Sequence, residues 1–350
     1  MKKYAWSIFT RLFVAFSAFL FFLVSAGLFG AEGRGVISYG TSLFAFIGLV
    51  LSFNLGRTFL VETLKNEQLK RDLLADFMLL NIAVTIIVVV IALIFWQFDD
   101  TATNIIKPKI FYSLLGVSLF YVWSVNSNAM FSAFQSTHIQ EKIIFFTRLS
   151  ICFFLLLSYF MNWHYLEDYI LCYSGILFLG AAIEMLFLAR KYKVKLSFTK
   201  RRALLSIFKK SLWPHLDYLA FNLFPVALIL LSAKYITTAQ IGKVNFALQF
   251  VSVIFIFSTV ATNRISAYVS VKGFGTKTAE IKKIFIVTGL LSVLGSFAIY
   301  GFLLLITKTE RFIEFSDSAR LFLITAFAIP GFIFYHFLVP LWLEMKTICY

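Results

Sequence analysis

The chain has 350 residues, of which 60% are hydrophobic and 14% charged, with a formal net charge of +15. A soluble domain of this length carries about a quarter charged residues, so the composition excludes a soluble fold and predicts an all-α polytopic membrane protein. The positive excess does not call for nucleic acid, because membrane topology and attraction to anionic membrane lipid account for it.

Crossing roughly 30 Å of hydrocarbon takes about twenty apolar residues as helix. Ten such runs follow one another, at residues 5–28, 36–60, 77–98, 110–135, 143–162, 168–189, 212–233, 242–262, 284–306 and 319–343. Lys2 and Lys3 before the first run, with Ser25, Ala26 and Gly27 after it, imitate a secretory signal. The run is longer than a signal's apolar region and nine more follow, so an uncleaved first helix is expected. The sequence AEGRGVISYG, residues 31–40, then predicts a tight reversal over Ala31 to Gly35, with Glu32 and Arg34 left in water.

Lys and Arg fall unevenly on the two sides of these runs. One set of ends and loops holds 24 of the 32, and the alternate set holds eight. By the rule that Lys and Arg stay inside, both termini are expected in the cytoplasm. The densest run, RKYKVKLSFTKRRALLSIFKK at residues 190–210, is expected to link an N-terminal six-helix lobe (1–189) to a C-terminal lobe of about four helices (211–350). Leu204, Leu205, Ile207 and Phe208 would line one side of a short surface helix within it. Shifting the chain by 207 residues lays GVISYGTSLFAFIGLVLSFNLGR (35–57) on GKVNFALQFVSVIFIFSTVATNR (242–264), pairing Gly35 with Gly242 and Arg57 with Arg264. Because the shift spans six helices, the halves would share one orientation as a parallel repeat.

The stretch LFGAEGRGVISYGTSLFAFIGLVLSFNLGRTFLVE resembles the opening of the polysaccharide flippases of the multidrug, oligosaccharidyl-lipid and polysaccharide exporter superfamily. The stretch SLWPHLDYLAFNLFPVALILLSAKYITTAQIGKVNFALQFVSVIFIFSTVATNRIS resembles that family's seventh and eighth helices in layout. The resemblance implies two lobes around a cavity that carries an undecaprenyl-pyrophosphate-linked oligosaccharide from the cytoplasmic to the outer leaflet of a bacterial inner membrane. The product would be O-antigen, capsule or exopolysaccharide, and the partners would include a polysaccharide polymerase and other assembly proteins. Family members usually have twelve or more helices. A chain ending at LWLEMKTICY would be a shortened member or an incomplete one.

Ionisable groups inside the runs are costly and mark cavities or partners. Arg11 suits a pyrophosphate or acidic sugar through paired hydrogen bonds, and Asp217 falls at the matching depth of the seventh run. Snorkelling to the surface is the competing account of both. Asn126, Asn128 and Gln135, with Asn222, Asn245 and Gln249, offer amides to sugar hydroxyls, although amides also join helices. His215, with Asp217, is a candidate for proton coupling, and Pro225 for a hinge. His336, Pro330 and Pro340 lie in the last run, where the prolines predict further kinks.

Cys152, Cys172 and Cys349 show no metal or disulfide spacing, and no cofactor motif occurs. Phosphate loops, nucleophile elbows and zinc helices are likewise missing from the sequence, which argues against an enzyme. The alternatives are a cation-coupled multidrug exporter and, from another class, a membrane enzyme of glycan assembly. The second would need a large outer loop, and the longest here, near 99–109 and 307–318, are only about a dozen residues.

Overall fold

The computed structural model describes residues 2–64, 67–194, 201–254, 278–327 and 330–331. Every regular element among the described residues is helical. The α-helices are α1 (Lys2–Leu51), α2 (Leu55–Leu64), α3 (Glu67–Phe98), α4 (Asp100–Ile105), α5 (Pro108–Ala133), α6 (Thr137–Phe160), α7 (Leu166–Lys191), α8 (Arg201–Ser232), α9 (238–254), α10 (Thr278–Ile306) and α11 (Ser318–Ala326), with a 3-10 turn at Glu310–Phe315. Among the described residues, six segments are long and apolar enough to cross a membrane, with α1 taken as one, or seven if the bent halves of α8 form one span. Their outer faces are apolar. On α3, Ile82, Ile86, Val90 and Ile94 repeat every four residues and all are exposed, a stripe that water would not tolerate and lipid covers. This is the build of a multi-pass, all-α membrane protein.

Gly30 interrupts α1 with φ 65° and ψ −168°, backbone angles open essentially to glycine. Arg34 shows that the chain reverses there: its Nη1 donates to Ser25 Oγ at 3.1 Å, and its guanidinium lies 5.5 Å from the Phe21 ring. A straight helix would hold Phe21 and Arg34 about 20 Å apart. The first arm, 2–29, therefore folds back onto a second, 31–51. The predicted turn over Ala31 to Gly35 is corrected, because Gly30 makes the reversal and residues 31–35 already belong to the second arm.

Glu32 is exposed as expected, but Arg34 is buried. A guanidinium is weakly hydrated and stacks on rings, and Arg34 lies 4.5 Å from the Phe22 ring. Gly35 faces the Thr238 carbonyl so closely that a Cβ would overlap it. Gly30→Ala is expected to cost about 1–3 kcal/mol, read as a lowered unfolding midpoint of the detergent-solubilised protein. An unchanged midpoint would mean that the reversal does not need glycine.

The second arm ends at Ser52–Asn54, where Phe53 (φ 52°) and Asn54 (φ 42°) enter left-handed conformations. Asn126 of α5 closes this break. Its Oδ1 accepts from Gly56 N at 2.9 Å, while its Nδ2 donates to Asn81 Oδ1 of α3 at 3.1 Å. Helix α5 is the hub of the bundle, packing on α1, α2, α3, α6 and α7. It approaches α7 closely at Gly116, and the Ser174 hydroxyl donates to the Ser113 carbonyl across the pair.

Helix α8 begins at Arg201 and continues to Ser232, so the surface helix expected within 190–210 is instead the start of a longer element. Ile207 and Phe208 pack with Leu55, Phe59 and Leu188. The axis bends by 56° between 207–220 and 222–232. Pro225 accounts for the position of that bend, because it lacks the N–H that would bond the Phe221 carbonyl one turn earlier.

The chain divides into two compact units, Met1–Ile241 and Gly242–Tyr350. In the second, Lys243 pairs with Asp317 at 3.0 Å, and the Phe246 and Phe315 rings pack at a tilt with centroids 4.4 Å apart. Residues 255–264 of the proposed repeat, His336, Pro340 and Cys349 lie outside the described residues.

Candidate functional site

A cavity of about 370 Å³ opens inside the first unit between α1, α5, α6 and α7, within the range of about 300–1,000 Å³ usual for small-molecule sites. Each helix lines it with one face, at three- and four-residue spacing. Helix α1 supplies Thr10, Arg11 and Val14; α5 supplies Phe120, Trp123, Ser124, Ser127 and Asn128; α6 supplies Gln140, Glu141, Ile144, Thr147 and Arg148; α7 supplies Leu177, Gly180, Ala181 and Glu184. This is the helical period turned inward with polar side chains.

Two polar groups fix the site. Glu184 is buried, and its Oε2 accepts from Trp123 Nε1 at 2.8 Å. Ser127 and Gln140 complete the surroundings of the carboxylate, with Gln140 Nε2 donating to Ser127 Oγ at 3.0 Å. Arg148 stands further along α6, eleven residues past Thr137 and twelve before Phe160. At a rise of about 1.5 Å per residue that is the middle of the helix. Its guanidinium lies 5.6 Å from the Phe120 ring. Tyr121 and Tyr173 stand within electrostatic reach of both Arg148 and Arg34, so a second cation lies beyond the cavity's deep end.

Of the sequence-predicted residues, Arg11 and Asn128 line the cavity, each with an exposed side chain. Asn126 does not, being spent on the joint between α1 and α2. Gln135 occupies the turn between α5 and α6 with φ 51°. His215 Nε2 donates to the Val50 carbonyl at 3.0 Å, and its ring packs 5.2 Å from Phe53, tying α8 to the end of the second arm of α1. Asp217 stands on α8, and its side chain lies outside the described residues. Asn222 is exposed and donates to the Tyr218 carbonyl at 2.9 Å. Asn245 and Gln249 belong to α9, in the second unit.

The sequence reading missed Thr10, Trp123, Glu141, Arg148 and Glu184 as site residues. Arg148 falls near the start of the run expected at 143–162, whereas the structure begins that helix at Thr137 and puts Arg148 at its middle. Glu184 carried a usable signal, a single acid inside the apolar stretch GAAIEMLFLA. Compared with models of protein families, with curated proteins and with solved structures, the chain has no significant match.

Proposed function

We propose that this chain is a transporter that flips an undecaprenyl-pyrophosphate-linked oligosaccharide repeat unit from the cytoplasmic to the outer leaflet of a bacterial inner membrane, without covalent change. In this reading ten helices form two parallel-repeat lobes with both termini in the cytoplasm. A polymerase and other assembly proteins receive the product. The observation that carries the reading is the cavity itself: Arg11 and Arg148, with amides and hydroxyls, face the interior of a bundle whose outer surface is apolar. Intramembrane arginines are held at a cost of several kcal/mol and mark the paths of anionic groups. Guanidinium suits phosphate, and the surrounding amides suit sugar hydroxyls.

The test is to delete the gene in its native host and measure which leaflet holds the lipid-linked repeat units. Accumulation on the cytoplasmic leaflet, reversed by the wild-type gene and poorly reversed by Arg11→Ala expressed at equal level, is the expected result. An unchanged distribution with normal surface glycan would overturn the proposal. Glu184 beside Trp123 favours one other reading, export of a cationic drug, since a carboxylate and an aromatic ring both attract cations. Raised sensitivity of the deletion strain to cationic dyes, with surface glycan intact, would select it.

A further inference from the structure

The cavity keeps charges of both signs without pairing them. Arg11, Arg148, Glu141 and Glu184 all line it, and among the described residues none of the four has an oppositely charged group within 4.0 Å. A buried charge without a counter-charge, as Glu184 is, is normally cancelled by a neighbour or by a ligand. A third group is also unspent. Thr10 is 2% exposed, lines the same cavity, and its Oγ1 has no hydrogen-bond partner.

The charges are arranged along the cavity. Glu141 lies four residues into α6 and Glu184 seven residues before the end of α7. Both therefore sit toward the end of the bundle where α5 passes into α6. Arg148 lies seven residues beyond Glu141 on the same helix, about 10 Å deeper. A ligand spanning this distance meets a carboxylate at one end and a guanidinium at the other.

We infer that the headgroup taken by this cavity is a saccharide phosphate bearing a free amine, with its phosphate on Arg148 and its ammonium on Glu184. This rests on the proposed transport of a phosphorylated saccharide and names the class of sugar. Trp123 Nε1 occupies Oε2 of Glu184 and orients the carboxylate. The amide oxygen of Gln140, whose nitrogen is committed to Ser127, adds a second acceptor. An ammonium has three protons to donate, and the Thr10 hydroxyl remains for a ring hydroxyl. A sugar phosphate without the amine would leave Glu184 buried with its neutral hydrogen-bond donors and no counter-charge.

The experiment is calorimetric titration of the full chain in detergent with glucosamine 6-phosphate and with glucose 6-phosphate, which differ only in an amine or a hydroxyl at C2 and carry the phosphate across the ring from it. Glucosamine 6-phosphate is expected to bind about tenfold more tightly or better, the range of a charged hydrogen bond. Glu184→Gln is expected to bring the two affinities together, and Arg148→Gln to weaken both. Equal affinities in the wild type would overturn the inference about the amine while leaving phosphate-headgroup transport standing. Absence of saturable binding by either sugar phosphate would overturn the transport reading as well. Preference lost in Glu141→Gln but retained in Glu184→Gln would overturn the assignment of the ammonium.

Discussion

Arg148→Gln is expected to abolish relocation of the lipid-linked saccharide while leaving the protein folded, with an unfolding temperature at or above that of the wild type. The reason is the position of the charge. An arginine at the centre of a transmembrane helix costs about 3 kcal/mol on insertion scales. The described surroundings return only part of that: Arg148 has the Phe120 ring at 5.6 Å and a hydrogen bond with the Tyr173 hydroxyl, with no carboxylate within 4.0 Å among the described residues. Gln keeps hydrogen-bonding capacity and removes the charge, so the empty protein gains stability and loses its hold on phosphate. The leaflet assay in the deletion host and a thermal unfolding curve read the two effects separately. A lower unfolding temperature with full transport would make Arg148 a packing residue and remove it from the pathway.

The second large effect is expected at Asn126, and it is structural. Asn126→Leu leaves the Gly56 N–H and the Asn81 side-chain Oδ1 buried without their partner. Each orphaned group costs about 1–3 kcal/mol, so a loss of about 3 kcal/mol is expected, with the joint between α1 and α2 loosened. The double variant Asn81→Leu/Asn126→Leu is expected to recover part of the loss, because it removes both members of one pair. Thermal unfolding of the two variants in the same detergent checks this. If the double variant is no more stable than the single one, the Asn81 bond carries none of the effect.

The helical, membrane-embedded character of the chain was legible in the sequence because long apolar runs with few charges have one solution in lipid, the helix that satisfies its own backbone. Segment positions followed closely for α5 and α7. Sequence reading failed where a side chain's direction decides the outcome. Arg34 was left in water on the strength of its glycine-rich surroundings, yet a reversal at one glycine turns it back over Phe21 and Phe22. Asn126 and Asn128 are two positions apart on one helix and read alike, but two residues turn a helix by about 200°. One therefore holds the joint to α3 while the other faces the cavity. Arg148 was missed because a run beginning at 143 puts it near the membrane edge, and a helix beginning at Thr137 puts it at mid-span.

The reversal at Gly30 makes the two arms of α1 depend on each other. A single residue separates the two arms. Arg34 sits in the opening turns of the second arm, and its ring partners belong to the first. The shielding of this arginine by aromatic rings therefore exists only when both arms are in place side by side.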